Sequence, residues 1–260
     1  MNKIYLSVVM PALNEEKNIL AAAGETLKAF DEMKISGEIL IVNDGSFDRT
    51  MELVKGLAVK EGRVRVINHA EPLGIGASFW NGVDGASGEI VTMFPGDNEN
   101  KPLEALRYLG LLGDVDIVVP FVVNKKARPA LRNLLSYIYT LVINLTFNTS
   151  FSYTNGTVLY RKCVLSGLNS RSTGFFYQTD ILIRLAKKGY LFAEVPYSLG
   201  TRGAGESKAV SASSFLTVAK GYFRLFVDLY LRGRLCEGRH KFHPDSMSAK
   251  RCGNYERTDT

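Results

Sequence analysis

The chain has 260 residues, of which 46% are hydrophobic and 22% are charged, and its formal net charge is +6 at pH 7. This length and apolar content suit one large domain with a buried core and exclude a largely disordered chain. The odd number and scattered spacing of the three cysteines argue against a disulfide framework or a zinc site and indicate a reducing compartment.

The net positive charge is compatible with several kinds of anionic partner. We expect no nucleic-acid partner, because the basic residues do not lie among aromatic residues as they do in an RNA-binding sheet. Nucleotides, phospholipid head groups and phosphorylated substrates fit the charge equally well. No stretch reaches the roughly 20 apolar residues of a membrane span and the chain opens without a signal segment, so we expect no transmembrane span.

Short apolar runs alternate with helical periods in the first half of the chain. The strand candidates are IYLSVVMPA, GEILIVND, VRVINH, GEIVTMFPG and DVDIVVPFVV. Helices are predicted between them, beginning near Glu15, Asp48, Gly76 and Pro102. This alternation predicts an α/β fold with a mostly parallel central sheet, whose ligands bind at the carboxyl ends of the strands.

The second half contains more helix. Its candidates are an apolar helix ALRNLLSYIYTLVINLTF, a strand TNGTVLYRK, an amphipathic helix GFFYQTDILIRLAKKGY, a strand LFAEVPYS and a last helix SFLTVAKGYFRLFVDLYLRGR. We expect one α/β domain over residues 1–210 and an amphipathic helix over residues 211–236. Residues 237–260 lose the apolar periodicity, so we expect them to form a flexible tail.

Polar residues and glycines follow three of the strand candidates. Asp44 ends the second strand, where a short acid can accept hydrogen bonds from a base or ribose. The alternative is a purely structural segment in which Ser46 or Asp48 caps the next helix. Gly74 and Gly76 permit a phosphate to approach a helix start closely. Asp97 and Glu99 follow the fourth strand, where they could hold a Mg²⁺ or Mn²⁺ ion that bridges a diphosphate.

The segments VMPALNEE, IVNDGS, LGIGAS and PGDNENKP occur in an order and spacing that resemble family 2 of the inverting glycosyltransferases, whose fold is called GT-A. The resemblance covers about residues 4–208 and makes residues 1–210 the GT-A domain. It implies that a nucleotide-sugar pocket is lined by Pro11, Asn14, Glu15, Asn43, Asp44 and Gly74. Asp97 matches the second acid of the family's metal-binding D-x-D motif, with Glu99 as a compensating carboxylate. Two positions depart from the family, because Pro95 and Asn43 stand where it usually has acids.

The segment LFAEVPYSLGTRGAGESKA is similar to the ending of dolichyl-phosphate mannosyltransferase-like enzymes, which transfer a sugar to the phosphate of a polyprenyl lipid. The resemblance implies acceptor-phosphate or diphosphate contacts by Arg132, Ser136, Arg202, Ser207 and Lys208. It also implies that Asp97, Arg202 and Lys208 are the catalytic residues, with arginine suited to bidentate oxyanion binding.

This resemblance implies inverting transfer of a sugar from a nucleotide sugar to a polyprenyl phosphate. A phosphate acceptor is already largely anionic near neutral pH and needs no general base. One alternative is transfer to a sugar hydroxyl, which does need a base, and Asp180 is the candidate acceptor-side residue for that role. Another is a non-catalytic nucleotide-sugar-binding protein.

Because a polyprenyl phosphate stays in the bilayer, we expect a peripheral protein on the cytoplasmic face of a membrane. The apolar helix over residues 130–147 and the basic amphipathic helix over residues 211–236 are the candidate interfacial segments. A contact between copies of the chain in a homo-oligomer is the alternative use of these helices.

We predict that Arg202→Ala and Lys208→Ala weaken use of the lipid phosphate and leave nucleotide binding largely intact, because both residues lie in the polar loop after the last strand candidate. Acceptor kinetics measured beside calorimetry of nucleotide binding checks this. Equal losses in both measurements would place the two residues on the donor diphosphate instead.

Overall fold

The structure, a computed structural model, describes residues 3–124, 130–198, 212–232 and 241–255. It contains a seven-stranded sheet with the spatial order β3-β2-β1-β4-β6-β5-β7, in which β6 runs antiparallel to its two neighbours and every other pair is parallel. The mostly parallel sheet is therefore confirmed. The strands are β1 (Leu6–Ala12), β2 (Gly37–Asp44), β3 (Val64–His69), β4 (Ile90–Met93), β5 (Ile117–Val122), β6 (Leu159–Arg161) and β7 (Phe192–Tyr197).

Helices alternate with the strands, and the four predicted in the first half begin within four residues of their expected positions. The helices are α1 (Ile19–Glu32), α2 (Thr50–Lys60), α3 (Ile75–Gly85), α4 (Pro102–Leu106), α5 (Ala130–Phe147), α6 (Lys162–Ser166), α7 (Tyr177–Lys187), α8 (Ala212–Phe226) and α9 (Met247–Tyr255). Helix α8 continues into a π-helical turn over Val227–Leu231. None of the helices in the described ranges has both the length and the apolar character that a bilayer crossing requires.

The hydrophobic core lies on both faces of the sheet. On β1, Val9 packs into a cluster with Phe79 and Trp80 of α3. Its neighbours Val8 and Met10 belong to a second cluster, which includes residues of α1. Because successive side chains of a strand point to opposite faces, β1 must be apolar along nearly its whole length. Both faces are covered, so the loops at the carboxyl ends of β1, β2 and β4 form the open edge.

The expected flexible tail is wrong for residues 241–255. Asp116, which is fully buried, accepts hydrogen bonds from the backbone N–H of Met247 at 2.6 Å and of Ser248 at 3.0 Å, and from the Ser248 hydroxyl. Phe242 also packs edge-on against Tyr190, with ring centroids 5.2 Å apart. Polar capping holds the first turn of α9 against the domain, which is why apolar periodicity did not reveal this helix.

We predict that Asp116→Ala lowers the free energy of unfolding by about 1–3 kcal/mol, because the first turn of α9 loses its acceptor. Urea unfolding measures the change. Asp114→Ala is the matched control, since Asp114 forms an ion pair with Arg251 at the surface and its loss should cost under about 1 kcal/mol. Equal destabilisation by the two substitutions would contradict the capping role.

Candidate active site

The loops that follow β1 and β2 are joined to each other by hydrogen bonds. The backbone N–H of Asn14 donates to the Ser46 hydroxyl at 3.0 Å, and the N–H of Phe47 donates to the Asn14 side-chain oxygen at 3.0 Å. The N–H of Glu15 donates to the Thr50 hydroxyl at 2.9 Å. Asn14 adopts a left-handed backbone with φ of 57°, which asparagine tolerates better than most residues. Asn14 therefore joins the two loops and does not itself line the cleft described below.

The carboxylate of Asp44 organises the next loop. It accepts the backbone N–H of Leu73 at 2.8 Å and of Gly74 at 3.0 Å, and it lies 2.7 Å from Nδ1 of His69 at the end of β3. On the other side of the ring, Nε2 of His69 lies 2.9 Å from the Asn81 amide nitrogen. An amide donating to Nε2 puts the imidazole proton on Nδ1, facing Asp44. Asp44 thus holds the loop before α3, and the predicted cap of α2 is Asp48, which accepts the Thr50 backbone N–H at 2.9 Å.

Asn43 is buried behind this edge of the sheet. Its amide nitrogen donates to the Asn68 side-chain oxygen at 2.8 Å, between paired positions of β2 and β3. Its own side-chain oxygen is buried without a hydrogen-bond partner among the described residues. The amide that stands in place of the family's acid therefore contributes a link between strands, and Asn43 does not line the cleft.

The glycines at the start of α3 accommodate the protein's own backbone. The N–H groups of Gly76 and Ala77 both donate to the carbonyl oxygen of Thr173, at 2.8 and 3.2 Å. A Cβ on Gly76 would lie 2.7 Å from the Thr173 carbonyl carbon, closer than side chains allow. The N–H groups of Gly76 and Ala77 are therefore already satisfied by a carbonyl of the protein, and the expected approach of a phosphate at Gly74 stays a prediction. No local pattern in the sequence indicates this contact.

A cleft of about 930 Å³ opens at the carboxyl ends of β1, β2 and β4. Of the residues predicted from the sequence, it is lined by Pro11, Glu15, Asp44, Gly74, Asp97, Glu99 and Arg132. The sequence prediction missed Thr173, Phe175, Thr217, Lys220, Gly221 and Arg224. The last four share one face of α8, so their helical spacing is a signal that could have grouped them.

A second cavity of about 360 Å³ adjoins the cleft, and Asp97, Glu99 and Arg132 line both. Ser136, predicted as an acceptor contact, lines this second cavity. Neutral polar and aromatic side chains make up much of the remaining lining: Asn100, Tyr139, Tyr153, Asn155, Tyr177, Gln178 and Tyr197. Burial raises the pKa of the Tyr139 phenol to about 12, so it stays neutral and can hydrogen-bond at physiological pH.

Asp97 and Glu99 are the described residues best placed to hold a metal ion. They lie where the two cavities meet, and Asp97 Oδ1 accepts the Glu99 backbone N–H at 3.1 Å. No group of three or more histidine, cysteine or acidic side chains in the described ranges could hold a metal ion. Mg²⁺ is commonly bound by one or two carboxylates with substrate phosphates and water, so these two carboxylates fit such an ion.

Asp180 is not brought to either cavity. Its carboxylate is buried and lies 2.9 Å from Arg184 Nε, and Arg184 reaches Asp228 at 2.8 Å. Burial raises the pKa of the Asp180 carboxyl, and the charge of Arg184 opposes that rise. Asp180 therefore pairs with Arg184, which ties α7 to the turn after α8, and Asp180 lines neither cavity.

Three predicted residues, Arg202, Ser207 and Lys208, lie outside the described residues. Their expected roles as phosphate contacts stay predictions.

Comparison with known proteins identifies the family. Residues 7–167, more than half of the chain, match the family model described as glycosyl transferase family 2. The chain belongs to this family of glycosyltransferases, and the resemblance inferred from its motifs is confirmed.

Two named relatives are similar to parts of the chain. The chain is 28% identical over 209 residues to dolichyl-phosphate beta-glucosyltransferase ALG5A of Trichomonas vaginalis, covering 74% of this chain and 65% of the relative. It is 33% identical over 105 residues to dolichyl-phosphate beta-glucosyltransferase ALG5C of the same organism, covering 38% of this chain and 31% of the relative. The chain thus spans between about one third and two thirds of the length of these relatives.

Solved structures confirm the GT-A fold. A mycobacterial protein aligns with a TM-score of 0.65 at 20% identity, covering 85% of this chain and 74% of that chain. Glucosyl-3-phosphoglycerate synthase from Mycobacterium tuberculosis, solved with Mn²⁺, UDP and phosphoglyceric acid, aligns with a TM-score of 0.63 at 20% identity. That alignment covers 85% of this chain and 78% of the synthase. At this identity the similarity defines the fold.

We predict that Gly76→Ala weakens binding of UDP or GDP at least about tenfold, because the added methyl group must displace the Thr173 backbone beside the cleft. Calorimetry with each nucleotide measures the affinity. Gly56→Ala in α2 is the matched control: nothing lies within 4 Å of its added methyl group, and alanine is the better helix former. Unchanged nucleotide affinity in Gly76→Ala would contradict the role given to this contact.

Proposed function

We propose that the chain transfers a sugar from a nucleotide-sugar donor to a polyprenyl phosphate with inversion at the anomeric carbon. One observation carries the proposal: α5 lines the cavities on one side and exposes a large apolar face on the other. Arg132 and Ser136 are on its cavity side. A lipid phosphate needs this combination, since its head must reach the donor while its chain stays in an apolar phase. The dolichyl-phosphate beta-glucosyltransferases among the relatives support the same acceptor class.

The apolar face of α5 is unusually exposed for a soluble surface. Leu131 is 67% exposed, Leu145 is 75% exposed, and the residues between them repeat at helical spacing. The exposed large apolar side chains of α5 are Leu131, Leu134, Leu135, Tyr137, Ile138, Leu141, Val142 and Leu145, and of these Leu135 also borders the second cavity. A contiguous patch of this kind marks a lipid or protein contact. Because the same helix also forms the cavity wall, we favour a membrane surface over another protein as the partner of this apolar face.

Helix α8 extends the same surface. The Tyr222 hydroxyl on α8 forms a hydrogen bond with the Thr146 hydroxyl at the end of α5, with 2.8 Å between the two oxygens. Phe223 is 64% exposed and Phe226 is 37% exposed, and basic residues lie on the same helix. Apolar side chains beside basic ones suit a helix that lies in the interface of an anionic bilayer. We therefore propose peripheral attachment of the chain to a membrane through α5 and α8, and the cytoplasmic face stays the predicted location.

The reaction places two demands on the described residues. The acceptor phosphate is already anionic, so the protein must orient it in line with the anomeric carbon, and Arg132 can donate hydrogen bonds to it from between the cavities. The departing diphosphate must be stabilised where its charge develops. Asp97 and Glu99 would hold a Mg²⁺ or Mn²⁺ ion there, and such an ion supplies positive charge to the leaving group.

A hydroxyl acceptor is the weaker alternative. It requires a general base, and the candidate for that role, Asp180, is paired with buried Arg184 and lines neither cavity. The neutral polar side chains in the second cavity suit the hydroxyl groups of a donor sugar as well as those of an acceptor sugar, so they do not favour a hydroxyl acceptor. A non-catalytic binding protein differs from both in showing nucleotide-sugar binding without turnover.

We predict that Asp97→Ala lowers the rate of sugar transfer to polyprenyl phosphate at least about 100-fold, because the leaving group loses its charge stabilisation. Radiolabelled transfer assays at saturating Mg²⁺ or Mn²⁺ measure the rate. Glu25→Ala, an exposed acid on α1, is the control and should keep the wild-type rate. A near-normal rate in Asp97→Ala would remove this residue from the mechanism.

We predict that the chain sediments with anionic liposomes and that high salt releases part of it, because screening weakens the contribution of its basic residues. Replacing Phe223 and Phe226 together by serine should lower liposome binding at least about tenfold and leave nucleotide affinity unchanged. Val59→Ser, which removes an 89% exposed apolar residue from α2, is the control. Wild-type protein that stays in the supernatant and forms dimers through these helices would contradict the membrane role and support the homo-oligomer.

A further inference from the structure

Two basic side chains of α8 face the large cleft. Lys220 and Arg224 lie one helical turn apart and line the cleft together with Arg132 of α5. None of the three forms an ion pair with another residue in the described ranges. Lys220 and Arg224 both lie in the basic amphipathic helix that the sequence predicts as an interfacial segment. Their position at the cleft gives them a more specific partner.

Tight contacts fix α8 in this orientation. Gly221 packs directly on Phe176, and a Cβ at this position would lie 2.7 Å from the Phe176 side chain. The Asp228 carboxylate after α8 lies 2.8 Å from the buried Arg184 guanidinium. The face that holds Lys220 and Arg224 is therefore directed at the cleft by the packing of Gly221 beside it and by the ion pair that anchors the end of the helix.

The neighbouring face of α8 is apolar and open. Leu216 is 60% exposed and Phe223 is 64% exposed. On a helix, Lys220 falls between Leu216 on one side and the cleft-lining Gly221 on the other. An anion held by Lys220 and Arg224 consequently has the cleft on one side and the exposed apolar surface on the other. This is the arrangement that a phosphate with a long apolar chain requires.

We infer that Lys220 and Arg224 bind the phosphate of the lipid acceptor at the rim of the cleft. Arginine supplies paired donors to two phosphate oxygens and lysine adds a compact charge. The inference rests on the proposed function and adds to it two acceptor-binding residues. A donor diphosphate carries the same oxyanions, so the test must separate the two sources.

Kinetics with Lys220→Gln and Arg224→Gln combined provides the first measurement. The KM for polyprenyl phosphate should rise at least about tenfold, because charge-assisted hydrogen bonds to the phosphate are lost. The affinity for UDP and GDP, measured by calorimetry, should stay close to the wild-type value. Lys55→Gln combined with Lys60→Gln is the matched control, since both lysines are exposed on α2 and the same two charges are removed.

Vesicle binding provides a second measurement that does not depend on turnover. Wild-type protein should bind phosphatidylcholine vesicles that contain polyprenyl phosphate more tightly than phosphatidylcholine vesicles alone. The Lys220→Gln, Arg224→Gln protein should lose this difference, and the α2 control should keep it. Because phosphatidylcholine has no net charge, the polyprenyl phosphate is the vesicle's source of net negative charge.

The outcomes are separable. A fall in nucleotide affinity with unchanged acceptor KM would assign the pair to the donor diphosphate and overturn the inference. Equal behaviour of the two double variants, or no wild-type preference for vesicles with polyprenyl phosphate, would also overturn it. If the vesicle difference is found but wild-type protein transfers no sugar to the lipid, the binding site stands and the proposed function fails.

Discussion

The cleft depends on the hydrogen bonds of one buried carboxylate. Asp44 ends β2 at the open edge of the sheet and accepts the N–H groups of Leu73 and Gly74, with His69 alongside. A buried charge is tolerated only when it is well hydrogen-bonded, so these three donors and the carboxylate stabilise one another. The loop before α3 is thereby held at a fixed distance from the ends of β1 and β2. This wall of the cleft therefore consists of loops that are hydrogen-bonded to one another.

The opposite wall is built by different means. The Thr173 carbonyl accepts hydrogen bonds from the first backbone N–H groups of α3. The segment after Thr173 leads into α7, and Arg184 of α7 forms an ion pair with Asp228 just after α8. Helices α5 and α8 then enclose the cleft with residues on one face and present apolar side chains on another. The polar, rigid side of the cleft suits a nucleotide, and the helical side suits an amphiphile. The proposed transfer from a nucleotide sugar to a lipid-bound phosphate requires this asymmetry.

Much of the fold could be predicted because its signals are local. The bounds of α5 matched its apolar stretch, Ala130–Phe147, and the strand candidates enclosed all seven strands. Asp97 and Glu99 line the cleft because the carboxyl ends of parallel strands share one edge. These features follow from periodicity and strand order, which a single sequence records.

The remaining features depend on contacts between distant residues. Nothing near Gly76 predicts that a carbonyl of Thr173 occupies its helix start, and a glycine there fits a phosphate as readily. Helix α9 is held by Asp116, which lies immediately before β5, so the polar segment itself carries no local signal of a packed helix. The position of Asp180 suggested a base, but its buried partner Arg184 decides its role. In each case a polar contact between residues far apart in the sequence determines the structure, and no local rule contains that contact.

The proposed activity is tested most sharply by measuring transfer of a radiolabelled sugar to a polyprenyl phosphate. Wild-type protein would be incubated with polyprenyl phosphate, a divalent ion and, in turn, radiolabelled GDP-mannose, UDP-glucose and UDP-N-acetylhexosamines. The account predicts that at least one donor yields organic-phase label that depends on the lipid phosphate. Label that appears only on sugar hydroxyl acceptors, with none in the organic phase for any donor, would contradict it.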